Sequence, residues 1–319
     1  MKPRVVAIVQ ARMGSTRLPN KVMKTMCGKP MIELLLSRLA LARMVDQIVL
    51  ATSTHPANKP LVDCVQRLGY PVVQGSENDV LGRFVLAAQK QAADVVIRIT
   101  GDCPLVDPDL VDLAVQRFFD AKVDYLSNTI TPTYPDGLDV EVFKFRSLKQ
   151  TDVETQKPFD REHVTPYLRT PGRFLVSDMR HDEDLSHLRW TVDESADFEV
   201  VERVFQHFSP RVDFTWHEVL DLQRQHPERF SQNHHLIRNE GAVMGTGQKL
   251  WKRAKQVIPG GNMLLSKRAE MFLPERWPAY FSKAKGCTVW DMDGQAYTDM
   301  SIMGIGTNIL GYGHPEVDA

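Results

Sequence analysis

The chain has 319 residues, 43% of them hydrophobic and 25% charged, a composition that supplies a core and argues against a disordered chain. Its 39 Lys and Arg against 40 Asp and Glu leave a formal charge of −1, so no global field favours nucleic acid or an anionic membrane, and any phosphate must be bound locally. No apolar stretch approaches the roughly 20 residues of a membrane span, and the run at residues 5–9 is too short for a secretory leader, so a cytoplasmic protein is expected.

In chain order, residues 4–9 form an unbroken, β-branched apolar run, which suits a strand buried on both faces. Residues 31–43 show helical spacing, 47–51 read as a second buried strand, and 58–68 as a helix. Residues 70–73 (strand), 79–91 (helix) and 94–99 (strand) continue the alternation, for which a doubly wound, right-handed α/β sheet is the usual solution, with ligands at the carboxyl ends of its strands. Beyond residue 123 the rhythm shortens: strands are expected at 125–128, 138–143, 174–177 and 188–192, and helices at 145–153, 161–168, 198–208 and 217–225. The polar, glycine-bearing stretch 232–247 reads as a linker. The length suggests one large domain followed by a smaller unit, here 1–240 and 241–319. Cys27, Cys64, Cys103 and Cys287 form no CxxC pair, which indicates neither a disulfide framework nor a zinc site.

The most informative segment follows the first strand: Gln10-Ala11-Arg12-Met13-Gly14-Ser15-Thr16-Arg17-Leu18-Pro19-Asn20-Lys21. Gly14 permits a tight turn whose N–H groups, with that of Ser15, can converge on phosphate oxygens, while Arg12 and Lys21 add a planar fork and a point charge. A solvated surface loop can carry the same letters. The pattern is neither GxxxxGK[ST] nor GxGxxG, which argues against a P-loop ATPase or a dinucleotide-dependent dehydrogenase.

AIVQARMGSTRLPNKVM, ITGDCPLVDP, PDGLDVEVF, REHVTPY and RWTVDESADFE occur in that order over residues 1–225. Together they resemble the spore-coat-polysaccharide type of cytidylyltransferase, a relative of the CMP-Kdo synthetases. The resemblance implies a Rossmann-like nucleotidyltransferase fold with a mixed, mostly parallel sheet, CTP as substrate, Mg2+ as cofactor and a homodimer. Arg12 and Lys21 then become the catalytic cations. Gly14 and Ser15, with Ala51, Thr52 and Ser53 after the second strand and Gln74 and Gly75 after the third, are expected to contact the nucleotide. The family's two metal-binding aspartates fall on Asp102 and Asp193, each just beyond an expected strand, where two carboxylates suit one magnesium ion. The same letters also suit turn-forming or helix-capping aspartates. Relatives often read Asp-Thr-Pro-Glu-Asp where this chain reads Asp193-Glu194-Ser195-Ala196-Asp197, which puts that turn in question.

Arg83, Arg161 and His163 are the candidates to meet an anionic acceptor, an acidic sugar or a sugar phosphate by analogy; solvated helix charges are the competing reading. Asp136, Asp139 and Glu141 either meet acceptor hydroxyls or shape a turn and strand. From residue 248, LWKRAKQVIPGGNMLLSKR, YFSKAKGCTVWDMDGQAYTDM and GIGTNILGYGHPEV resemble the start of class III aminotransferases of the glutamate-1-semialdehyde aminomutase group. The chain ends before any Schiff-base lysine in context, so no aminotransferase activity is expected, and pyridoxal phosphate is expected only in a longer bifunctional parent. Alternatives are CMP transfer to a phosphonate, use of another base, or a nucleotide-binding module. Small molecules are the expected partners.

Overall fold

In the computed structural model, which describes residues 2–15, 17–234, 236, 246–261, 268–271, 277–300 and 309–317, the apolar opening segment becomes β1 (Val5–Gln10), inside a seven-stranded sheet. β4 (Gln47–Ser53) and β6 (Val95–Thr100) flank it in parallel, and β5 (Val72–Gly75) pairs in parallel beyond β4. Past β6 come β8 (Glu141–Lys144), β7 (Tyr125–Ser127) and β9 (Val176–Asp178); β8 runs against both its neighbours, whereas β7 and β9 are parallel. The sheet is mixed and mostly parallel. A short pairing of β2 (Thr25–Met26) with β3 (Lys29–Pro30) stands apart from it.

Side chains alternate across the β1 pleat, and both faces are covered, which is why its sequence shows no polar alternation. Val5, Ala7 and Val9 meet α1 (Met31–Leu39), α2 (Lys59–Arg67), α4 (Pro108–Ala121), α7 (Ser195–Phe208) and α8 (Trp216–Gln225). Val6 and Ile8 share the other layer with α3 (Val80–Lys90) and Leu148 of α5 (Phe145–Glu154), and α6 (Pro158–His163) packs on α3.

Helix α4 lies outside the expected elements. Its signal is Asp107, whose carboxylate accepts the Leu110 N–H, followed by Pro108 at the first helical position. The expected helix at 161–168 divides: α6 ends at His163, and a 3-10 turn follows at Tyr167–Arg169. Between them Val164 has φ 70° and ψ −53°, and the Thr165 N–H donates to the His163 carbonyl at 2.8 Å. This is a γ-turn of the strained hand centred on a buried β-branched residue.

The expected strand at 188–192 is corrected. Among the described residues these make only an isolated bridge, Asp136 with Arg189. The segment is apolar because it plugs the core: Trp190 and Val192 are fully buried, and the indole N–H of Trp190 donates to Gln223 of α8 at 2.7 Å. Its main chain is held by two loops, with the Trp190 N–H on the Asp136 carbonyl at 2.6 Å and the Val192 N–H on the Asp102 carbonyl at 2.7 Å. The linker also starts later than its polar letters suggest. Pro227–Asn233 is a 3-10 helix whose Phe230 and Asn233 are buried, and residues 237–245 lie outside those described.

The chain divides into two compact units, Met1–Arg238 and Asn239–Ala319. The second, taken by itself, has α9 (Thr246–Val257) and an antiparallel sheet of β10 (Phe281–Lys285), β11 (Thr288–Asp291) and β12 (Ala296–Thr298). Buried Trp251 donates to Glu270 at 3.0 Å, and Tyr280 donates to the Gly261 carbonyl at 2.9 Å. Residues 304–308 of the GIGTNILGYGHPEV string lie outside the described residues.

Gly137 carries the Asp136 loop past the 190 segment. Its φ is +109°, and a Cβ there would stand 2.5 Å from the Thr191 nitrogen. Gly137→Ala is expected to lower stability by about 1–3 kcal/mol or more; denaturant unfolding monitored by circular dichroism checks this, and an unchanged midpoint contradicts it.

Candidate functional site

Four loops gather at the carboxyl ends of β1, β4, β5 and β6, where a doubly wound sheet places its ligand crevice. The loop after β1 is tied down by its neighbour: the Met13 N–H donates to the buried Asn58 side chain at 2.8 Å, and Asn58 in turn donates to Ser53 Oγ at 2.7 Å. The Ser15 and Asn20 N–H groups turn back onto the Met13 carbonyl, and the Leu18 N–H donates to Ser15 Oγ at 3.3 Å. Asn20 itself is left-handed, φ 58°, and opens the 3-10 turn Lys21–Met23, a conformation asparagine accepts with little strain. The β1 and β6 loops touch closely. The Gly101 N–H donates to the Gln10 carbonyl at 2.8 Å, and a Cβ on Gly101 would lie 2.7 Å from that of Ala11.

This arrangement brings Lys21 between the two expected metal aspartates. Its ammonium lies 3.4 Å from Asp102 Oδ2 and 3.0 Å from Asp193 Oδ1, and donates to the Val192 carbonyl at 2.8 Å. Burial alone would raise the Asp102 carboxyl; the Lys21 charge, helped by hydrogen bonds from Thr100 and the main chain, overrides it and holds the group at about 2. Burial alone would lower Lys21, but the two carboxylates raise it instead. Both groups are therefore ionised across the physiological range. Two carboxylates that converge on one cation form the oxygen-rich, partial donor set that magnesium accepts when waters and substrate phosphates complete its shell.

Sequence reasoning overlooked the supports of Asp193. Arg17 reaches its Oδ1 at 2.8 Å, and buried Arg189 reaches its Oδ2 at 3.4 Å. Arg189 also forks onto Asp197 at 2.8 and 2.9 Å and onto Asp136 at 3.0 Å. Asp197 answers the question raised by its neighbourhood: it accepts from the Asp193 and Glu194 N–H groups, both at 3.0 Å, within a capping box opened by Glu194 at the start of α7. Asn233, in the stretch expected to be linker, donates to both Asp197 and the Arg189 carbonyl. The capping signal was readable in VDESAD; the reach of Arg189 and Asn233 was not.

The other expected residues divide. Arg12 stands 3.7 Å from Glu77, which also lies 3.9 Å from where a Gly14 side chain would start. Ala51, Thr52 and Ser53 are fully buried, main chain included, and the Ala51 carbonyl already accepts the Ala11 N–H, so the expected direct contacts of these residues with the nucleotide are corrected: packing inside the sheet takes them instead. Gln74 donates to the Ser53 carbonyl at 3.3 Å, and Gly75 leaves room for the Arg83 stem, which a Cβ would approach to 2.8 Å. Arg83 is itself buried and donates to the Ser76 and Glu77 carbonyls, shaping that loop. Arg161 grips Asp79 at 2.6 Å and Asp152 at 2.7 Å, joining α3, α5 and α6. His163 packs 4.5 Å from Phe159 and precedes the γ-turn. Asp136 pairs with Arg189, and Glu141 is buried against Arg98, Arg169 and the Tyr125 hydroxyl; both shape the fold here. Burial would raise the Glu141 carboxyl, but Arg98 and Arg169 bring it to about 2. Clefts of about 600 and 380 Å3 lie elsewhere, lined by residues such as Pro3 and Lys149, and Arg117 and His217.

Arg189→Met, which strands the buried Asp197 and Asp136, is expected to destabilise the domain by about 3–5 kcal/mol; thermal and urea unfolding measure it, and a shift within error refutes the pairing. Asp102 and Glu141 have depressed carboxyls, so their contribution is complete above their ordinary values near 3.8 and 4.5 and is lost as pH falls toward about 2. Stability is thus expected to drop from about pH 4.5 downward, and less steeply in Glu141→Gln; acid titrations of the two chains with parallel profiles would contradict this.

Comparison with known proteins identifies the family of the first unit. The family model described as Cytidylyltransferase matches residues 6–237. Spore coat polysaccharide biosynthesis protein SpsF of Bacillus subtilis is 32% identical over 233 residues, covering 70% of this chain and 95% of that protein. An uncharacterised protein of Methanocaldococcus jannaschii is 34% identical over 228 residues, covering 70% of this chain and 92% of its own. The solved structure of a cytidylyltransferase from Leptospira borgpetersenii superposes with a TM-score of 0.69 at 28% identity, over 72% of this chain and 97% of that one. The family match ends at residue 237, ahead of the unit that begins at Asn239. On these grounds, and through its first unit, the chain belongs to the cytidylyltransferase family.

Proposed function

We propose that the first unit transfers CMP from CTP to an anionic acceptor with the help of magnesium, and that the acceptor is an acidic sugar or a sugar phosphate. The observation that carries this reading is the convergence of Asp102 and Asp193 on the Lys21 ammonium, with Arg17 beside it, at the loop that follows β1. A pure nucleotide binder has no need of such a pair. The role in polysaccharide synthesis named for the Bacillus relative supports a sugar acceptor.

In this reaction an acceptor oxygen forms a bond to the α-phosphorus of CTP while the bond to the bridging oxygen breaks in line and pyrophosphate leaves. Asp102 and Asp193 would hold magnesium, which when bound would supply Lewis-acid stabilisation of charge on the phosphate oxygens. Arg12, Lys21 and the loop at Gly14 hold the departing pyrophosphate, while the Ser15 N–H closes that loop on the Met13 carbonyl. Gln74 and Gly75, at the end of the neighbouring strand, meet the cytosine and ribose, and the buried Ala51–Ser53 strand end backs them. Arg83 shapes the acceptor side and His163, fixed by its γ-turn, faces it. Arg161 has both sides of its fork engaged by Asp79 and Asp152, so within this reading it positions the helices around the acceptor. We assign the unit Asn239–Ala319 to the start of an aminotransferase-like domain on its sequence resemblance alone, and a homodimer on that of the first unit.

Asp102→Asn, Asp193→Asn and Lys21→Ala are each expected to lower pyrophosphate release from CTP by roughly 100-fold or more while the chain stays folded. A coupled pyrophosphate assay with Mg2+ and a panel of keto-sugar acids, sugar phosphates and phosphonates tests both parts. Full activity in Asp102→Asn, or release that persists in EDTA, overturns the metal reading; turnover with phosphonates alone overturns the sugar.

A further inference from the structure

The reading proposed above makes Lys21 a ligand of the nucleotide's phosphates, yet its ammonium stands within 3.4 Å of one oxygen from each carboxylate and is anchored by the Val192 carbonyl at 2.8 Å. Its side chain is 12% exposed, so it is enclosed with the aspartates. Arg17 adds a second cation from the same loop at 2.8 Å from Asp193 Oδ1, the oxygen that Lys21 also meets. The loop thus delivers two positive charges to the point at which, on the reading proposed above, a divalent ion belongs. An ammonium and a magnesium ion drawn to these same oxygens repel one another: the ion takes them at about 2.1 Å and would face the ammonium across a gap of only a few ångströms.

We propose that Lys21, assisted by Arg17, is a built-in counter-cation that competes with the divalent ion for Asp102 and Asp193, so that the metal enters productively only with a nucleotide whose phosphates accept the displaced lysine. The loop is suited to this exchange. Lys21 opens a single 3-10 turn, Lys21–Met23, preceded by a left-handed asparagine, and its main-chain N–H is satisfied locally by the Leu18 carbonyl. The side chain can leave the carboxylates without breaking the turn. Asp193 keeps Arg189 on its other oxygen, so it stays oriented after the exchange. Free metal is thereby held off, and the triphosphate meets a lysine already at the site.

The test is binding of Mn2+ alone, followed by electron paramagnetic resonance of the free ion, to the metal-stripped full chain without nucleotide. Removing one positive charge beside the two carboxylates is expected to tighten Mn2+ binding by about tenfold or more in Lys21→Met. Lys21→Gln, which retains a donor for the Val192 carbonyl, is expected to behave alike, and Arg17→Met to give a smaller gain. With CTP present the order is expected to reverse, the unmodified chain binding Mn2+ and CTP together more tightly than either Lys21 variant. Equal or weaker binding of Mn2+ alone by both Lys21 variants, with Asp102→Asn still abolishing it, overturns the counter-cation and leaves the metal site standing. Binding that Asp102→Asn does not weaken overturns the metal site and the counter-cation with it.

Discussion

The contact of the Lys21 ammonium with Asp102, Asp193 and the Val192 carbonyl joins segments separated by 81 and 172 positions in the chain. Everything else in the first unit serves to make that meeting exact enough to matter. β1 and β6 must be adjacent and parallel for their following loops to touch, and they pair in register from Val5 with Val95 to Gln10 with Thr100. Gly101 allows the loops to close, and the main-chain bond from Val192 to the Asp102 carbonyl sets the aspartates side by side. A charge triangle of this kind is favourable only when each member is held in place, because a buried charge that loses its partner costs several kcal/mol.

Asp193 is the member that needs the most support. It does not sit at a strand end, and no ladder hydrogen bonds fix its backbone. In place of a ladder, Asp197 caps the start of α7 and draws in the Asp193 N–H, while Arg189 ties Asp193, Asp197 and Asp136 together from beneath. Gly137 permits the Asp136 loop to press against the 190 segment, and Asn233 closes the group from the far end of the domain. The departure from the commoner Asp-Thr-Pro-Glu-Asp turn leaves this framework intact, since the residue that caps is the aspartate at its last position. The same holds elsewhere in the domain: Arg161 is engaged by Asp79 and Asp152, and Glu141 by Arg98 and Arg169, so both serve the packing of the fold.

Several of these features were legible from the letters. Continuous β-branched runs and helical spacing mark a doubly wound sheet because period and burial are local properties of the chain. Gly14, Arg12 and Lys21 mark a basic, turn-forming loop after β1 because glycine freedom and positive charge are carried by the residues themselves. Asp102 after a strand was readable for the same reason. By contrast, residues 188–192 looked like a strand because full burial produces an apolar run whether or not a ladder forms, and helix α4 was overlooked although its cap, Asp107-Pro108, is local.

Sequence alone thus determined the buried strands and helices of the sheet and the glycine-bearing, basic loop after β1, since each follows from the conformational and chemical preferences of consecutive residues. Tertiary structure alone decided which charges meet. Arg17, Arg189 and Asn233 acquire their roles, and Arg161 and Glu141 lose theirs, through contacts between segments far apart in the chain. Coulomb attraction and burial act on distance in space, and separation along the chain says nothing of either.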